Sequence, residues 1–250
     1  DTRPGDSPIR RRSDRCRNLP NTSIKMMQKI IQFCLVCLIL ASRDEASNSY
    51  PLFSPLNSAK TLAYPPISPP LLYTKGVIIL DPGHGGSDVG TQSLTKPRYQ
   101  EKNLNLLTAR LVKQYLQKMG YKIFLTRHKD VFVSLEKRSA LANKYHAQLF
   151  VSLHYNSAPS AEAKGVEIFY YSSRQQVKRT QQSRAFAQSV LKSLIKQAKV
   201  TSRGVKSGNW AVIREAKMPA ILIECGFMTN QEEMQKIKDL NYVRRLAWAI

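Results

Sequence analysis

Apolar residues between positions 75 and 250 fall into short runs that alternate with helix-like stripes. Short apolar runs bounded by glycine or polar residues predict buried strands, and apolar residues spaced three or four apart predict helices. The predicted strands cover 77–80, 122–125, 149–153, 165–171 and 220–223, and the predicted helices cover 103–119, 135–145, 179–199 and a segment from 231 onward. This alternation predicts one α/β domain, with a mostly parallel or mixed twisted sheet and helices on both faces.

The first 74 residues lack this pattern. Residues 1–26 are rich in Arg, Asp, Pro and Ser, and we interpret them as an unstructured extension that precedes the native start. Residues 27–42 contain Lys29 followed by the apolar run 30–41, which predicts a signal peptide, with an uncleaved anchor as the alternative. This run is shorter than the roughly 20 residues that span a bilayer. We interpret residues 43–74 as a Ser/Pro-rich linker. Because of the predicted signal peptide, we expect an exported protein of the periplasm or cell envelope.

The charge balance is strongly basic. The chain has 39 Lys and Arg against 17 Asp and Glu, a formal net charge of +22. Such a charge favours polyanionic partners, among them an anionic wall or membrane surface. Nucleic acid is not predicted, because no zinc-finger spacing, P-loop or basic heptad repeat accompanies the charge. Cys225 is the single cysteine beyond residue 42, so no internal disulfide is expected in the domain.

Three of the predicted buried strands lead into a potential metal ligand or catalytic acid. Strand 77–80 runs into the glycine-rich turn that carries His84, strand 149–153 leads to His154, and strand 220–223 leads to Glu224. Ligands bind in open α/β sheets at the carboxyl ends of the strands. Glu101 precedes the next helix and completes the set.

Two neutral imidazoles, one carboxylate and a water form a common catalytic zinc site. His84, Glu101 and His154 could supply these ligands. In the alternative, His84 serves a turn and Glu101 caps a helix; Glu224 could likewise be a carboxylate satisfied by backbone donors. Spacing alone does not decide between them.

Four sequence blocks resemble, in order, the signatures of the amidase-3 family of N-acetylmuramoyl-L-alanine amidases. The blocks are DPGHGGSDVG at 81–90, EKNL at 101–104, SLHYNS at 152–157 and IECGFMTN at 223–230. The resemblance runs from about Val77 to the end of the chain. It implies that His84, Glu101 and His154 bind Zn²⁺ and that Glu224 is the catalytic acid/base. It also implies that the substrate is peptidoglycan or muropeptides.

Further residues near these blocks are candidates for structural or substrate-facing roles. Thr126-Arg127 and the stretch 203–206 also resemble family blocks, and Asn156 could hydrogen-bond the muropeptide. Arg127 and Asn156 are therefore predicted to contact substrate, with a turn-forming role as the alternative for Asn156. Cys225 stands where the family usually has a small or hydroxylated residue, and we predict a core thiol rather than a nucleophile.

Two comparisons with the family concern segments rather than single residues. Relatives extend the last helix, here 242–250, so a terminal turn or two could be missing. Some relatives carry a long insertion after the strand matching 165–171, and this insertion blocks the zinc. The present sequence leaves no room for such an insertion after that strand, so we expect an open site.

Two other functions remain open from the sequence. Ser134, Ser189 and Ser193 each begin an S-x-x-K motif, which raises an additional penicillin-sensitive serine carboxypeptidase activity. The companion motifs would have to overlap at 206–209, which argues against this. The second alternative is a non-catalytic peptidoglycan-binding protein. Whichever function applies, we expect the protein to be a monomer.

Overall fold

The structure of the chain is a computed structural model, which describes residues 75–250. The predicted extension, signal peptide and linker lie outside the described residues. Within residues 75–250, no helix is both long and apolar enough to span a membrane.

Within residues 75–250, six strands form one mixed sheet, and the sequence predicts five of them. Their bounds are β1 Val77–Pro82, β2 Lys122–Leu125, β3 Leu149–Asn156, β4 Val166–Tyr170, β5 Ser202–Ser207 and β6 Ala220–Phe227. The strand order is β2-β1-β3-β6-β4-β5. Strands β2, β1, β3 and β6 run parallel, whereas β4 is antiparallel to β6 and parallel to β5.

In the described part of the chain, six α-helices and one π-helical turn pack around the sheet. Their bounds are α1 Glu101–Lys118, α2 Leu135–Lys144, α3 Val177–Ser193, the π-helical turn Leu194–Ala198, α4 Ala211–Arg214, α5 Gln231–Lys238 and α6 Leu240–Ala249. Helix α1 begins two residues before its predicted start, so Glu101 lies in its first turn. The predicted helix 179–199 corresponds to α3 plus the π-helical turn.

The two faces of the sheet bury separate apolar clusters, because side chains alternate along each strand. One cluster contains Leu80, Leu153 and Ile223 and packs against α1, α3 and α6. The other contains Ile79, Phe150 and Leu222 and packs against α2 and α4. His154 lies four residues after Phe150 on β3, and Glu224 lies two residues after Leu222 on β6. Because side chains an even number of residues apart point to the same face, His154 and Glu224 lie on the face of the second cluster.

Two predicted strand ends were wrong in a way that matters for the site. Strand β3 continues to Asn156 and β6 to Phe227, so His154 and Glu224 lie within strands instead of just past them. Their Cα atoms are register partners across β3 and β6. Polar side chains ended the apolar runs in the sequence, but backbone pairing continues beneath them. Backbone pairing therefore fixes the relative position of His154 and Glu224.

Strand β5 and helix α4 were not predicted. Strand β5 is an edge strand with only two half-buried residues in its centre, so it lacks an apolar run. Helix α4 is a single turn of four residues. Short edge elements of this kind have little hydrophobic periodicity for a sequence pattern to detect.

The packing makes Ile221 a test of the core. Ile221 is fully buried in the central strand β6, whereas Ile195 is 43% exposed. We expect Ile221→Ala to lower the free energy of unfolding by about 2–5 kcal/mol, because it leaves a cavity in the core. Ile195→Ala should change it by about 0.5 kcal/mol. Chemical denaturation of both variants measures this, and equal losses would contradict the assigned core.

Candidate metal site and catalytic carboxylate

Three predicted ligands meet at the carboxyl end of the parallel strands. His84 follows β1, His154 lies in β3, and Glu101 is the first residue of α1. Glu101 Oε1 lies 3.1 Å from His84 Nε2 and 2.9 Å from His154 Nδ1. One ligand atom from each of the three residues lies within 4.8 Å of the others.

This cluster fits a zinc ion by both chemistry and spacing. Two imidazoles and one carboxylate are a common ligand set of catalytic zinc, which retains an open position. Zinc–ligand distances near 2.0–2.2 Å at tetrahedral angles separate neighbouring ligand atoms by about 3.3 Å. The nitrogen–oxygen separations at Glu101 are close to this value.

The Glu101 carboxylate is held from several sides. Its Oε2 accepts a hydrogen bond from the Thr91 backbone N–H at 2.9 Å, and its Oε1 accepts one from Asn105 Nδ2 at 3.2 Å. Burial acts to raise the pKa of Glu101, but hydrogen bonds and charge from His154 and His84 hold that pKa well below its usual range. Glu101 is therefore an ionised carboxylate, fixed by its protein partners in a position from which it could bind a metal.

The glycine-rich turn places His84 with little room to spare. His84 itself has φ 59°, a left-handed conformation that non-glycine residues seldom adopt. A Cβ at Gly83 would lie 2.1 Å from the His154 ring, and one at Gly90 would lie 2.5 Å from Glu101 Oε2. Both glycines are thus required by close packing against ligands. Strain of this kind concentrates at functional sites.

Asp88 orients the His84 ring from its far side. Its Oδ2 lies 2.8 Å from His84 Nδ1, which leaves Nε2 to face Glu101. Burial acts to lower the pKa of His84, but Glu101 and Asp88 together raise it to about 9. Asp88 was not predicted as a site residue, although it lies in the first family block four residues after His84.

Two buried arginines hold the backbone of this turn. Arg127 donates to the carbonyl oxygens of Pro82 and Gly83 at 2.9 and 2.8 Å. Arg138 donates to Asp81 Oδ1 at 2.8 Å and to the His84 carbonyl at 2.9 Å. Arg127 is only 2% exposed, which favours the structural role over the substrate-facing one, and its contact with substrate stays a prediction. Its guanidinium donates hydrogen bonds to backbone carbonyl oxygens, as a structural role requires.

Glu224 lies beside the ligand cluster, across the strand pair from His154. Within residues 75–250 its Oε2 is buried and has no hydrogen-bond partner. Burial raises the pKa of Glu224 to about 7. An unpaired buried carboxyl oxygen is costly, and such groups in native proteins call for a functional explanation.

The next residue, Cys225, behaves as predicted. Its thiol is 1% exposed and belongs to the apolar cluster on the opposite face of the sheet. Burial raises the pKa of the Cys225 thiol well above its ordinary value. The thiol is therefore protonated and packed in the core, which excludes it as the nucleophile.

The positions of Asn156 and of two residues from the serine motifs do not point to a catalytic role. Asn156 Nδ2 donates to Glu167 Oε1 at 2.7 Å, and its Oδ1 accepts from the Ser157 N–H at 2.7 Å. Both ends have protein partners, so its contact with substrate stays a prediction. Ser189 is exposed on α3, and Lys206 of the companion motif is ion-paired with Glu167.

Comparison with known protein families and structures decides the family. A family model described as N-acetylmuramoyl-L-alanine amidase matches residues 78–250. The chain belongs to this amidase family. It is also 35% identical over 173 residues to the probable cell wall amidase LytH of Staphylococcus aureus, covering 69% of this chain and 55% of that protein. The chain thus spans about half the length of the curated relatives it matches.

Solved amidase structures share the fold. An N-acetylmuramoyl-L-alanine amidase from Clostridium difficile 630 is 39% identical with a TM-score of 0.65, covering 70% of this chain and 92% of that one. The catalytic domain of CwlV, an amidase from Bacillus (Paenibacillus) polymyxa var. colistinus, is 34% identical with a TM-score of 0.64, covering 70% and 93%. The amidase family, predicted from the sequence blocks, and the α/β fold, predicted from the alternation of strands and helices, are confirmed.

The outer contact of His84 yields a prediction about metal affinity. Asp88→Asn should weaken metal binding by about 10–100-fold, because residues that orient a ligand from behind typically have effects of this size. Glu162→Gln, at an exposed carboxylate, is the control and should bind metal as the unaltered chain does. Competition titration with a zinc chelator measures both affinities. Unchanged affinity in Asp88→Asn would remove Asp88 from the site.

Proposed function

We propose that this chain is a zinc-dependent hydrolase that cleaves the amide between N-acetylmuramic acid and L-alanine in peptidoglycan. The observation that carries the proposal is the geometry around Glu101. Two imidazole nitrogens share its Oε1 at 2.9 and 3.1 Å. Glu224 lies one strand away, and its buried Oε2 has no hydrogen-bond partner within residues 75–250. Family membership favours the same reaction.

His84, Glu101 and His154 would hold the ion. Bound zinc supplies a water of lowered pKa and polarises a carbonyl oxygen. Protein residues orient the two imidazoles. Glu101 keeps both rings in position, and Asp88 fixes which nitrogen of His84 faces Glu101.

Glu224 moves the proton in this proposal. It accepts a proton from the water whose oxygen adds to the muramoyl carbonyl carbon. The C–N bond then breaks, and Glu224 gives that proton to the departing L-alanine amine. The products are a carboxylic acid on the glycan and a peptide with a new amino terminus. The unpaired, buried Oε2 supports this role, since a carboxylate satisfied by backbone donors would not be left in that state.

Access to the site supports constitutive activity. Strand β4 ends at Tyr170 and α3 begins at Val177, so only residues 171–176 connect them. A blocking helix does not fit in this connection. We therefore propose an open site that acts on wall material without removal of a plug.

The setting of the reaction is also part of the proposal. We infer that residues 75–250 form the catalytic domain of an exported enzyme of the periplasm or cell envelope, in wall remodelling or division. Residues 168–214 contain ten Lys and Arg and no Asp or Glu, which favours attraction to anionic wall or membrane surfaces.

Glu224→Gln separates catalysis from metal binding. The amide is nearly isosteric and the three ligands remain, so we expect zinc content to stay near one per chain. Activity should fall by about 10²- to 10⁴-fold, because the amide cannot accept the proton. His84→Ala is the matched comparison and should lose zinc and activity together. Metal analysis and turnover of both variants decide this, and full activity in Glu224→Gln with zinc retained would place the acid/base elsewhere.

The cleaved bond is identified by the products. We expect the purified chain to release intact stem peptides from muropeptides, each beginning with L-alanine, as judged by mass. A chelator should stop the release and added zinc should restore it. Binding without release would favour the non-catalytic alternative. Acylation of Ser134, Ser189 or Ser193 by a labelled β-lactam would favour the serine carboxypeptidase.

A further inference from the structure

A second charge cluster lies on the same face of the sheet as Glu224, one strand further from the histidines. Glu167 in β4 is the register partner of Glu224 in antiparallel β6. Paired Cα atoms in such strands are about 4.5–5.5 Å apart. Glu167 Oε2 accepts hydrogen bonds from Arg203 Nε at 3.2 Å and from Lys206 Nζ, both on β5.

A bulge in β5 brings both cations to this face. Residues three apart on a regular strand point to opposite faces. Here Ser202 pairs with Val166 but Val205 pairs with Ile168, so β5 contains one extra residue. Gly204, with φ 89°, lies within this irregular stretch. Arg203 and Lys206 can therefore both bind the one carboxylate.

The cluster has an excess of positive charge toward solvent. Two cations share Glu167, whose side chain is 7% exposed, while those of Arg203 and Lys206 are 36% and 44% exposed. The Arg203 guanidinium also lies over the Phe227 ring at 4.9 Å, which fixes it in place. Within residues 75–250, Glu167 is the one hydrogen-bond acceptor of Lys206 Nζ. An ammonium has three donors, so Lys206 can bind a further anion.

We propose that Lys206, with Arg203 beside it, binds the carboxylate of the second residue of the stem peptide. The inference rests on the proposed function. In stem peptides the residue after L-alanine is a γ-linked glutamate, whose α-carboxyl group is either free or amidated. Two extended residues span about 7 Å, so this group lies one to two strand spacings from the scissile bond. The position matches the step from Glu224 to the Glu167 cluster.

The subsite is tested with two substrates that differ in one group. N-acetylmuramoyl-L-alanyl-D-isoglutamate carries the carboxylate, and N-acetylmuramoyl-L-alanyl-D-isoglutamine carries the carboxamide. The zinc-loaded chain should cleave the first with about 10-fold higher kcat/KM, because a hydrogen bond between charged groups is stronger than one to a neutral group. Lys206→Gln should bring the ratio near one by losing activity on the carboxylate substrate alone.

Two variants control for folding and for general charge. Lys206→Arg keeps the cation and should keep the preference. Lys118→Gln removes an exposed lysine at the opposite end of α1 from Glu101, about 25 Å along the helix, and should also keep it. A ratio near one in the unaltered chain, or an unchanged ratio in Lys206→Gln, overturns the proposal.

A binding measurement separates this inference from the proposed function. Calorimetry of Glu224→Gln with the two substrates measures the subsite without turnover. If the carboxylate form binds more tightly, and this difference is lost when Lys206→Gln is added, the subsite is supported. That conclusion holds even if the unaltered chain cleaves neither substrate, a result that would contradict the proposed reaction instead. Equal binding of the two forms contradicts the subsite whether or not hydrolysis occurs.

Discussion

One oxygen atom, Glu101 Oε1, is shared by two imidazoles, and much of the surrounding structure serves to keep it there. The carboxylate is 4% exposed, so its charge must be balanced by local donors. His84 and His154 supply two of them, and the Asn105 amide and the Tyr155 N–H supply others. A divalent cation meets the same electrostatic requirement with greater effect. The arrangement is therefore suited to a metal.

The constraint spreads from this atom to the backbone. For His84 to reach Glu101, the chain after β1 turns sharply with a left-handed His84. Close packing against His154 and Glu101 requires glycine at positions 83 and 90. That turn exposes carbonyl oxygens that no sheet or helix satisfies, and Arg127 and Arg138 satisfy them instead. Removing Arg138 would take away the side-chain donor of the His84 carbonyl, at about 1–3 kcal/mol. The Pro82 and Gly83 carbonyls each have a second donor, from Arg138 and Asn105. Residues far from the chemistry thus maintain the ligand geometry.

The sequence predicted the central strands and the ligand set for different reasons. Strands such as β1 and β3 bury unbroken apolar runs, which a local pattern reveals. His84, Glu101 and His154 were chosen among alternatives through family blocks, because their proximity depends on sheet order. The roles of Arg138 and Glu167 could not be predicted, since each depends on a partner more than 30 residues away in sequence. The edge strand β5 was not predicted, because its bulge and its exposure remove the alternation of apolar and polar residues.

Diffraction from crystals of the zinc-loaded chain, measured at the zinc absorption edge, tests the central claim most directly. The account predicts one anomalous peak per chain, bounded by His84 Nε2, His154 Nδ1 and a Glu101 carboxylate oxygen, at about 2.0–2.2 Å from each. Glu224 should lie beside this peak without coordinating it. A peak at other residues, or Glu224 as a direct ligand, would contradict the account.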